Sequence, residues 1–496
     1  MRTYKSTIHF FLLIYLSSCS KMISIPEPTN SITLPKVFSS DTTAVSAIAG
    51  IYTQLINGTY GVTNNNYATN VFSEGLTTIM AGLSSDELQT TSANTNLYPI
   101  STNDITARYA DQSNNIPNLW TSTYTIGIYG ANAALEGIEA STSPNLSDST
   151  RKQLTGEAKF VRAFCHFYLT NFFGDIPLVL TTDFNKTANL PRSSQTDVYT
   201  QIIQDLKDAQ TALSENYVSA GQRIRPNKWA ATALLARAYL YTGDYNNASV
   251  QAGSLIGHTE LYHLEANLND VFLTTSNEAI WQLQQNTSIP NLGNATPEGS
   301  YWLPNPLHTG RPPVAFLTGQ LVNAFEPGDK RRVDWIDSTD YMPAPGTPSS
   351  TYYFPYKYKT GTYNYTLGGT ASEYYMVLRL AELYLIHAEA AANGGPGGDN
   401  AAIADINAIR NRAGLTNLPA NLSNEDLKTA IAKEWQTEFF CEWGHRWFNL
   451  KRTKQAHDIL SSIPLKQPWK GDYQLLYPIP TQEIVNDHYL SQTPGY

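Results

Sequence analysis

A mainly α-helical fold, with tetratricopeptide-like helix pairs forming a curved right-handed scaffold interrupted by long irregular loops, is what the patterning of this chain predicts. Apolar residues recur at three- and four-residue steps in several long segments, small residues and a glycine mark the reversal between paired segments, and period-two alternation is scarce. The first two observations give the helices and their pairing, and the third leaves little room for a sheet.

At the start, Arg2 and Lys5 precede an apolar run from Ile8 to Leu16, and Leu16-Ser17-Ser18-Cys19 places small residues before a cysteine. That is the layout of a secretory signal ending in a lipoprotein box. The run is too short to cross a bilayer, which takes about 20 residues. Residues 1–18 therefore read as a lipoprotein signal peptide, with Cys19 as the lipidated first mature residue. Pro26, Pro28 and Pro35 among Ser, Thr and Asn make 19–40 a flexible tether. A single domain follows over 41–496, its helical scaffold at 120–256 and 371–460.

Within that scaffold Ala158, Val161, Cys165, Tyr168 and Phe172 follow a helical step, and Phe160, Phe164 and Phe167 cover a second face. Such a helix is buried nearly all round. Gly174 and Pro177 stop it, and Arg162 inside it must find a carboxylate or carbonyls, as a structural anchor. Ala236, Ala238 and Tyr239, then Gly243-Asp244-Tyr245 and Ala248, give a helix-turn-helix over 229–256. Val377, Ala381, Tyr384, Ala388 and Ala391 predict a third long helix ending at Gly394-Gly395-Pro396. Ile403, Ile406 and Ile409 mark another, and Ser423 caps one whose Leu427, Ile431 and Trp435 face one way.

Two stretches change character. Residues 58–118 and 286–370 are rich in Asn, Thr, Ser, Gly, Pro and Tyr with little period, which is loop composition. Loops of that length inside a domain are uncommon unless functional or disordered, and abundant aromatics argue against disorder. A ligand site is expected there. Tyr67, Tyr98 and Tyr109 in the first stretch, and Tyr301, Trp302, His308 and Arg311 in the second, offer flat faces and hydrogen-bond donors; packing of the loops onto the helices is the competing reading for each. Asp86 could accept ligand hydroxyls or cap the next turn.

Composition narrows the ligand. Charged residues make up 15% of the chain, against about 25% in ordinary domains. A surface rich in neutral polar groups suits neutral partners such as sugars. The net charge of −9 becomes more negative once Arg2 and Lys5 are removed, which argues against nucleic acid. Cys165 and Cys441 sit in apolar helical stretches without zinc spacing, and two buried thiols are expected rather than a disulfide. His258 and His263 make a weak metal pair, so neither a metal nor another cofactor is expected. No Gly-x-Ser-x-Gly, His-Glu-x-x-His or phosphate-loop motif is present. Glu434, Glu438 and Glu442, at steps of four, could perform acid and base work on glycosidic bonds. Repulsion between like charges at this spacing favours an internal ion network instead, with Arg379, Arg410, Arg412 and Arg446 as candidate partners.

Several blocks carry a family resemblance: Glu157–Phe164 with Phe173-Gly174-Asp175-Ile176-Pro177, Arg379-Leu380-Ala381-Glu382-Leu383-Tyr384, Arg412-Ala413-Gly414, Gly444-His445-Arg446-Trp447-Phe448 with Leu450-Lys451-Arg452, and Tyr477-Pro478-Ile479-Pro480. Together with the lipobox they resemble the SusD/RagB family of outer-membrane nutrient-binding lipoproteins. Trp435-Gln436, where an Arg is common after Glu434, and Gln492-Thr493, where Gln-Asn is usual, are small departures. The resemblance implies a SusD-like fold and a non-catalytic lid facing the cell exterior. Such a lid captures an oligosaccharide or peptide for a SusC-type TonB-dependent transporter. It carries over no ligand contact, since the family's contacts lie on variable loops. A glycosidase and a helical scaffold for protein partners are the competing classes; the first needs carboxylates placed in a cleft, and the second leaves the loop aromatics unexplained.

Overall fold

The computed structural model describes residues 34–58, 71–290, 292–304, 313–342 and 347–496. Its framework is α1 (Asp41–Asn57), α2 (Thr77–Ser84), α3 (Tyr129–Ala140), α4 (Asp148–Phe173), α5 (Gln195–Ala212), α6 (Lys228–Tyr241), α7 (Tyr245–Ile256), α8 (Leu380–Ala392), α9 (Gly398–Arg412), α10 (Asn424–Glu438) and α11 (His445–Arg452). From α3 to α10 each helix packs on the next, so α7 meets α8 although more than a hundred residues of intervening chain separate them. The helix-pair scaffold expected from the sequence is therefore continuous in space.

Local chemistry starts these helices. Ser147, Ser194, Asn227, Asp244 and Ser423 sit at the N-caps of α4, α5, α6, α7 and α10, each side chain accepting a backbone N–H two or three residues into the helix. Each such cap is worth about 1 kcal/mol. Gly243, at φ +75, reverses the chain between α6 and α7, a conformation that costs glycine little.

The core is arranged around α4, which is buried at every residue from Phe160 to Phe173. Phe160 and Phe164 meet the ring of Trp281 edge-on at 4.9 and 5.2 Å, and Phe164 and Tyr168 meet Trp443 at 5.5 and 5.4 Å. Arg162 is anchored as expected: Asp205 takes its guanidinium at 2.7 and 2.8 Å, and Asn132 at 2.9 Å. Cys165 and Cys441 are free and buried.

Among the described residues three two-stranded antiparallel sheets complete the fold: β1 (Leu88–Gln89) with β3 (Phe316–Leu317), β2 (Ala279–Leu283) with β6 (Tyr375–Arg379), and the hairpin β4 (Ile336–Tyr341) with β5 (Ser350–Pro355). The expected third long helix is shorter than its pattern, because Val377 belongs to β6. Every residue of β2 and β6 is buried, and a fully buried strand gives an apolar run that periodicity cannot tell from a helix.

Two other expectations need correction. The tether does not extend to residue 40: Phe38 is buried against Gly137, Ser141 Oγ donates to the Phe38 carbonyl at 2.6 Å, and Ser40 caps α1. The described part of 58–118 is not a loop either, since α2 and four further helices (Phe72–Leu76, Tyr98–Ser101, Ala107–Gln112 and Asn115–Ser122) fill most of it. All eight residues of α2 are buried, so no polar stripe alternates with an apolar one to reveal the helix.

Candidate ligand-binding surface

Carboxylates decide first where chemistry can and cannot occur. Glu434 and Glu438 lie on the last turn of α10, while Glu442 falls beyond its end at Glu438; left-handed backbone at Cys441 and Trp443 turns it back to the same place. Glu434 takes Arg331 at 2.9 Å and Arg410 at 3.0 Å. Glu438 takes Arg379 at 2.6 Å, Arg331 at 3.1 Å and Arg412. Glu442 takes Arg379 at 2.9 Å together with Lys357, while Arg379 and Arg412 also hold Glu278. Burial opposes ionisation of Glu438, but Arg412, Arg379 and Arg331 outweigh it and hold the carboxyl well below the usual carboxylate range. The three carboxylates are buried and already engaged by cations, which is poor geometry for acid–base catalysis.

Arg446 is not part of that network. Its guanidinium grips Asp86 at 2.8 and 2.7 Å, and Asp86, almost wholly buried, serves as an anchor in the wall of the pocket described below. Neighbouring Glu87 is pushed up to about 8 by burial and by the charge of Asp86. Burial likewise pushes Glu298 up to about 7 against the hydrogen bonds of Thr78 and Tyr375. Missed in the sequence were Arg331, Lys357 and Glu278, which lie in the stretch read as loop or just before it, where no helical period marks which charge turns inward.

Around the Asp86 anchor the fold does assemble a surface with ligand-binding character. The helix Tyr98–Ser101 packs on β1, β1 pairs with β3, and β3 packs on β5. Lys466 fixes this corner by donating its buried ammonium to the carbonyls of Leu83 (2.9 Å) and Ser101 (3.0 Å) and to Asn103 Oδ1 (3.3 Å). A 200 Å³ pocket lies between these elements, with Gln89, Ser101, Thr318 and Gln320 among its walls. Ser101 Oγ has no hydrogen-bond partner among the described residues. Beside the pocket, half-buried Phe316, Tyr352 and Tyr341 form an aromatic strip, with ring centroids 4.6 Å apart for the first pair and 6.2 Å for the second. Exposed Val314 and Met342 flank it. Flat apolar faces beside neutral hydroxyls and amides can hold a sugar ring by its face and its hydroxyls at once.

Only part of the expected residue set falls on this surface. Tyr98, half-buried, stands on the helix over β1. Tyr109 packs against the core, its hydroxyl donates to the Asn96 carbonyl, and burial pushes it up to about 12. Trp302 is 4% exposed and meets Tyr301 edge-on at 4.7 Å, which leaves Trp302 no open face for stacking. Tyr301 is half-buried, and neither its hydroxyl nor Trp302 Nε1 has a partner among the described residues. Tyr67, His308, Arg311 and Cys19 lie outside the described residues. His258 sits edge-on to Trp229 and bonds Glu260 at 3.1 Å. Phe316, Tyr341 and Tyr352 were not singled out in the sequence, although Thr351-Tyr352-Tyr353-Phe354 has the β-branched and aromatic content of a strand.

Two family models match most of this fold. Residues 42–240 match a SusD-like family described as starch-binding and associating with the outer membrane, and residues 323–496 match the SusD family proper. The chain belongs to the SusD/RagB family. It is similar to SusD-like protein P2 of Formosa agariphila, with 27% identity covering 78% of this chain and 82% of that one. The starch-binding protein SusD of Bacteroides thetaiotaomicron is 24% identical, covering 71% and 74%. Among solved structures, a laminarin-binding SusD-like protein superposes with a TM-score of 0.73 at 23% identity, covering 92% of this chain and all of that one. Surface glycan-binding protein A of Bacteroides thetaiotaomicron, solved with laminarihexaose, gives 0.71 at 18% identity, covering 92% and 99%. The SusD-like fold is thereby established for this chain.

Proposed function

We propose that this SusD-family protein captures an oligosaccharide at the cell surface, without cleaving it, and passes it to a SusC-type TonB-dependent transporter. The observation that carries the reading is the aromatic strip of Phe316, Tyr352 and Tyr341 beside a hydroxyl- and amide-lined pocket. Buried, ion-paired carboxylates support a binding role over a hydrolytic one, and the names of the relatives, several of them binders of starch or laminarin, point to a glycan. The test is titration calorimetry of the mature protein against oligosaccharides pooled by linkage and against a peptide pool. Saturable binding of one glycan class with no shortened product after prolonged incubation is expected. A response to peptides alone would replace the ligand class, and accumulating products would replace the lid with a hydrolase.

Anchoring is the second part of the proposal. Residues 1–18 act as the signal peptide, and acylated Cys19, which like them lies outside the described residues, holds the domain at the outer membrane. No helix among the described residues is long and apolar enough to cross a membrane, so retention there requires another device. Mass spectrometry of the mature N-terminus is expected to find an acylated cysteine, and Cys19→Ala to release the protein from the outer-membrane fraction. An intact, unprocessed Met1 contradicts the anchor.

A further inference from the structure

The pocket beside the aromatic strip is backed by buried residues and reached from one rim. Leu88, Ser101, Ile463 and Lys466 line it and are all buried. Lys466 commits its ammonium to the Leu83 and Ser101 carbonyls and Asn103 Oδ1, and Asp86 is held by Arg446, so neither charge is left for a ligand. Gln89 and Leu465, half-buried, and Gln320 and Pro464, exposed, are the lining groups that a ligand reaches. The side-chain amides of Gln89 and Gln320 make no hydrogen bond among the described residues, which leaves both donors and acceptors open to a sugar's hydroxyls. Pro464 and Leu465 supply apolar surface beside them.

The strip meets the pocket at this rim. Gln89 stands opposite Phe316 in the β1–β3 pair, and both side chains lie on the outer face, because the neighbouring pair, Leu88 and Leu317, is buried. From Phe316 the rings continue through Tyr352 to Tyr341, at centroid spacings of 4.6 and 6.2 Å. Among the described residues none of β4 or β5 lines the pocket, so the rings lead away from it. A chain lying on them runs, at its Phe316 end, into a cavity backed by protein. At 200 Å³ that cavity is smaller than the roughly 300–1,000 Å³ of pockets that enclose a whole small ligand, so it holds one end of an oligosaccharide and not a run of sugars.

We infer that the site recognises a terminal sugar: the end residue of an oligosaccharide enters the pocket, where the Gln89 and Gln320 amides bond its hydroxyls, and the sugars behind it lie on Phe316, Tyr352 and Tyr341. End recognition rests on the glycan capture proposed above and sharpens it, since gripping the middle of a chain needs a groove open at both ends. Reducing ends, non-reducing ends and branch tips share this chemistry.

Maltohexaose and laminarihexaose would be titrated calorimetrically against the full mature protein, intact and with the reducing sugar opened by borohydride. Amylose, laminarin and α-cyclodextrin, the last a six-glucose ring without ends, would be titrated beside them. At least one hexasaccharide is expected to bind saturably, its polymer to bind with the same affinity counted per chain end, and the cyclodextrin to bind at least tenfold more weakly than maltohexaose where maltohexaose is bound. Gln89→Ala and Gln320→Ala should each weaken the hexasaccharide about three- to tenfold, the range for one neutral hydrogen bond, at an unchanged melting temperature. Loss of binding on reduction assigns the reducing end, and indifference to it assigns a non-reducing tip. Affinity per chain end that climbs with chain length, cyclodextrin binding as tight as maltohexaose, or a Gln89→Ala/Gln320→Ala double variant that binds like the parent overturns end recognition and leaves glycan capture on the strip intact. Polymers that bind where neither hexasaccharide does overturn it in the same way, whereas silence from every sugar overturns glycan capture with it.

Discussion

Glu438→Ala is expected to lower the stability of the fold by about 3–5 kcal/mol at neutral pH, the cost typical of removing one partner from a buried ion network. The size follows from what is left behind. Arg379, Arg412 and Arg331 all converge on this one carboxylate, all are buried, and none can reach water when it is gone. Residual partners soften the loss, since Glu442 and Glu278 still hold Arg379 and Glu434 and Asp329 still hold Arg331. Arg412 keeps only Glu278, and its Nε already lacks a partner among the described residues.

The same carboxylate gives the fold an acid limit. Its pKa is depressed in the folded state, so its contribution is fully present above the unfolded value of about 4.3 and is lost as pH falls through the folded one. Denaturant titrations at pH 7 and pH 3 should therefore show a wide gap between the unmutated protein and Glu438→Ala that narrows in acid. A variant within about 1 kcal/mol of the parent at pH 7 would mean that the network is not what holds α10 to β6. Full stability with lost hydrolysis of a glycan would reinstate the catalytic reading of the three glutamates.

Legibility in the sequence followed burial pattern closely. Helices with one distinct face and a clear cap, such as α10 behind Ser423, and the reversal at Gly243, could be read because cap, period and turn residue agree there. The all-buried α2 and β6 could not, since each lacks the polar stripe that periodicity detects. Partners in the ion network were half legible: the like-charge spacing of Glu434 and Glu438 demanded cations, and Arg379, Arg410 and Arg412 supply them, but Arg446 goes to Asp86 and Arg331 takes the place assumed for it. At the surface the reading was weakest. Composition pointed to aromatics in two stretches but cannot say which ring faces solvent, because that depends on strand pairing between Phe316 and Gln89 and on the packing of β5 over β3.

That pairing sets the largest expected effect on binding. Tyr352→Ala should weaken the affinity for the bound oligosaccharide at least tenfold while leaving the melting temperature nearly unchanged, as alanine substitution of an interface aromatic commonly costs about 2 kcal/mol. Tyr352 sits at the middle of the strip, with Phe316 on one side and Tyr341 on the other. Its ring is held in place before ligand arrives, so little rotamer freedom is lost on binding. Trp302→Ala provides the opposing case. With 4% exposure, that indole fills core volume rather than presenting a face, and its removal should cost about 3–5 kcal/mol of stability while the folded fraction binds glycan as before. Tyr98→Ala, on the helix above the pocket, is expected to fall with Tyr352 in affecting binding and not folding. Calorimetric titration paired with thermal unfolding for the three variants separates the roles. Should Tyr352→Ala and Tyr98→Ala both bind like the parent, the strip is packing and the ligand is held by residues elsewhere; should Trp302→Ala lose binding at unchanged stability, the helix Pro297–Trp302 rather than the β3–β5 face carries the site.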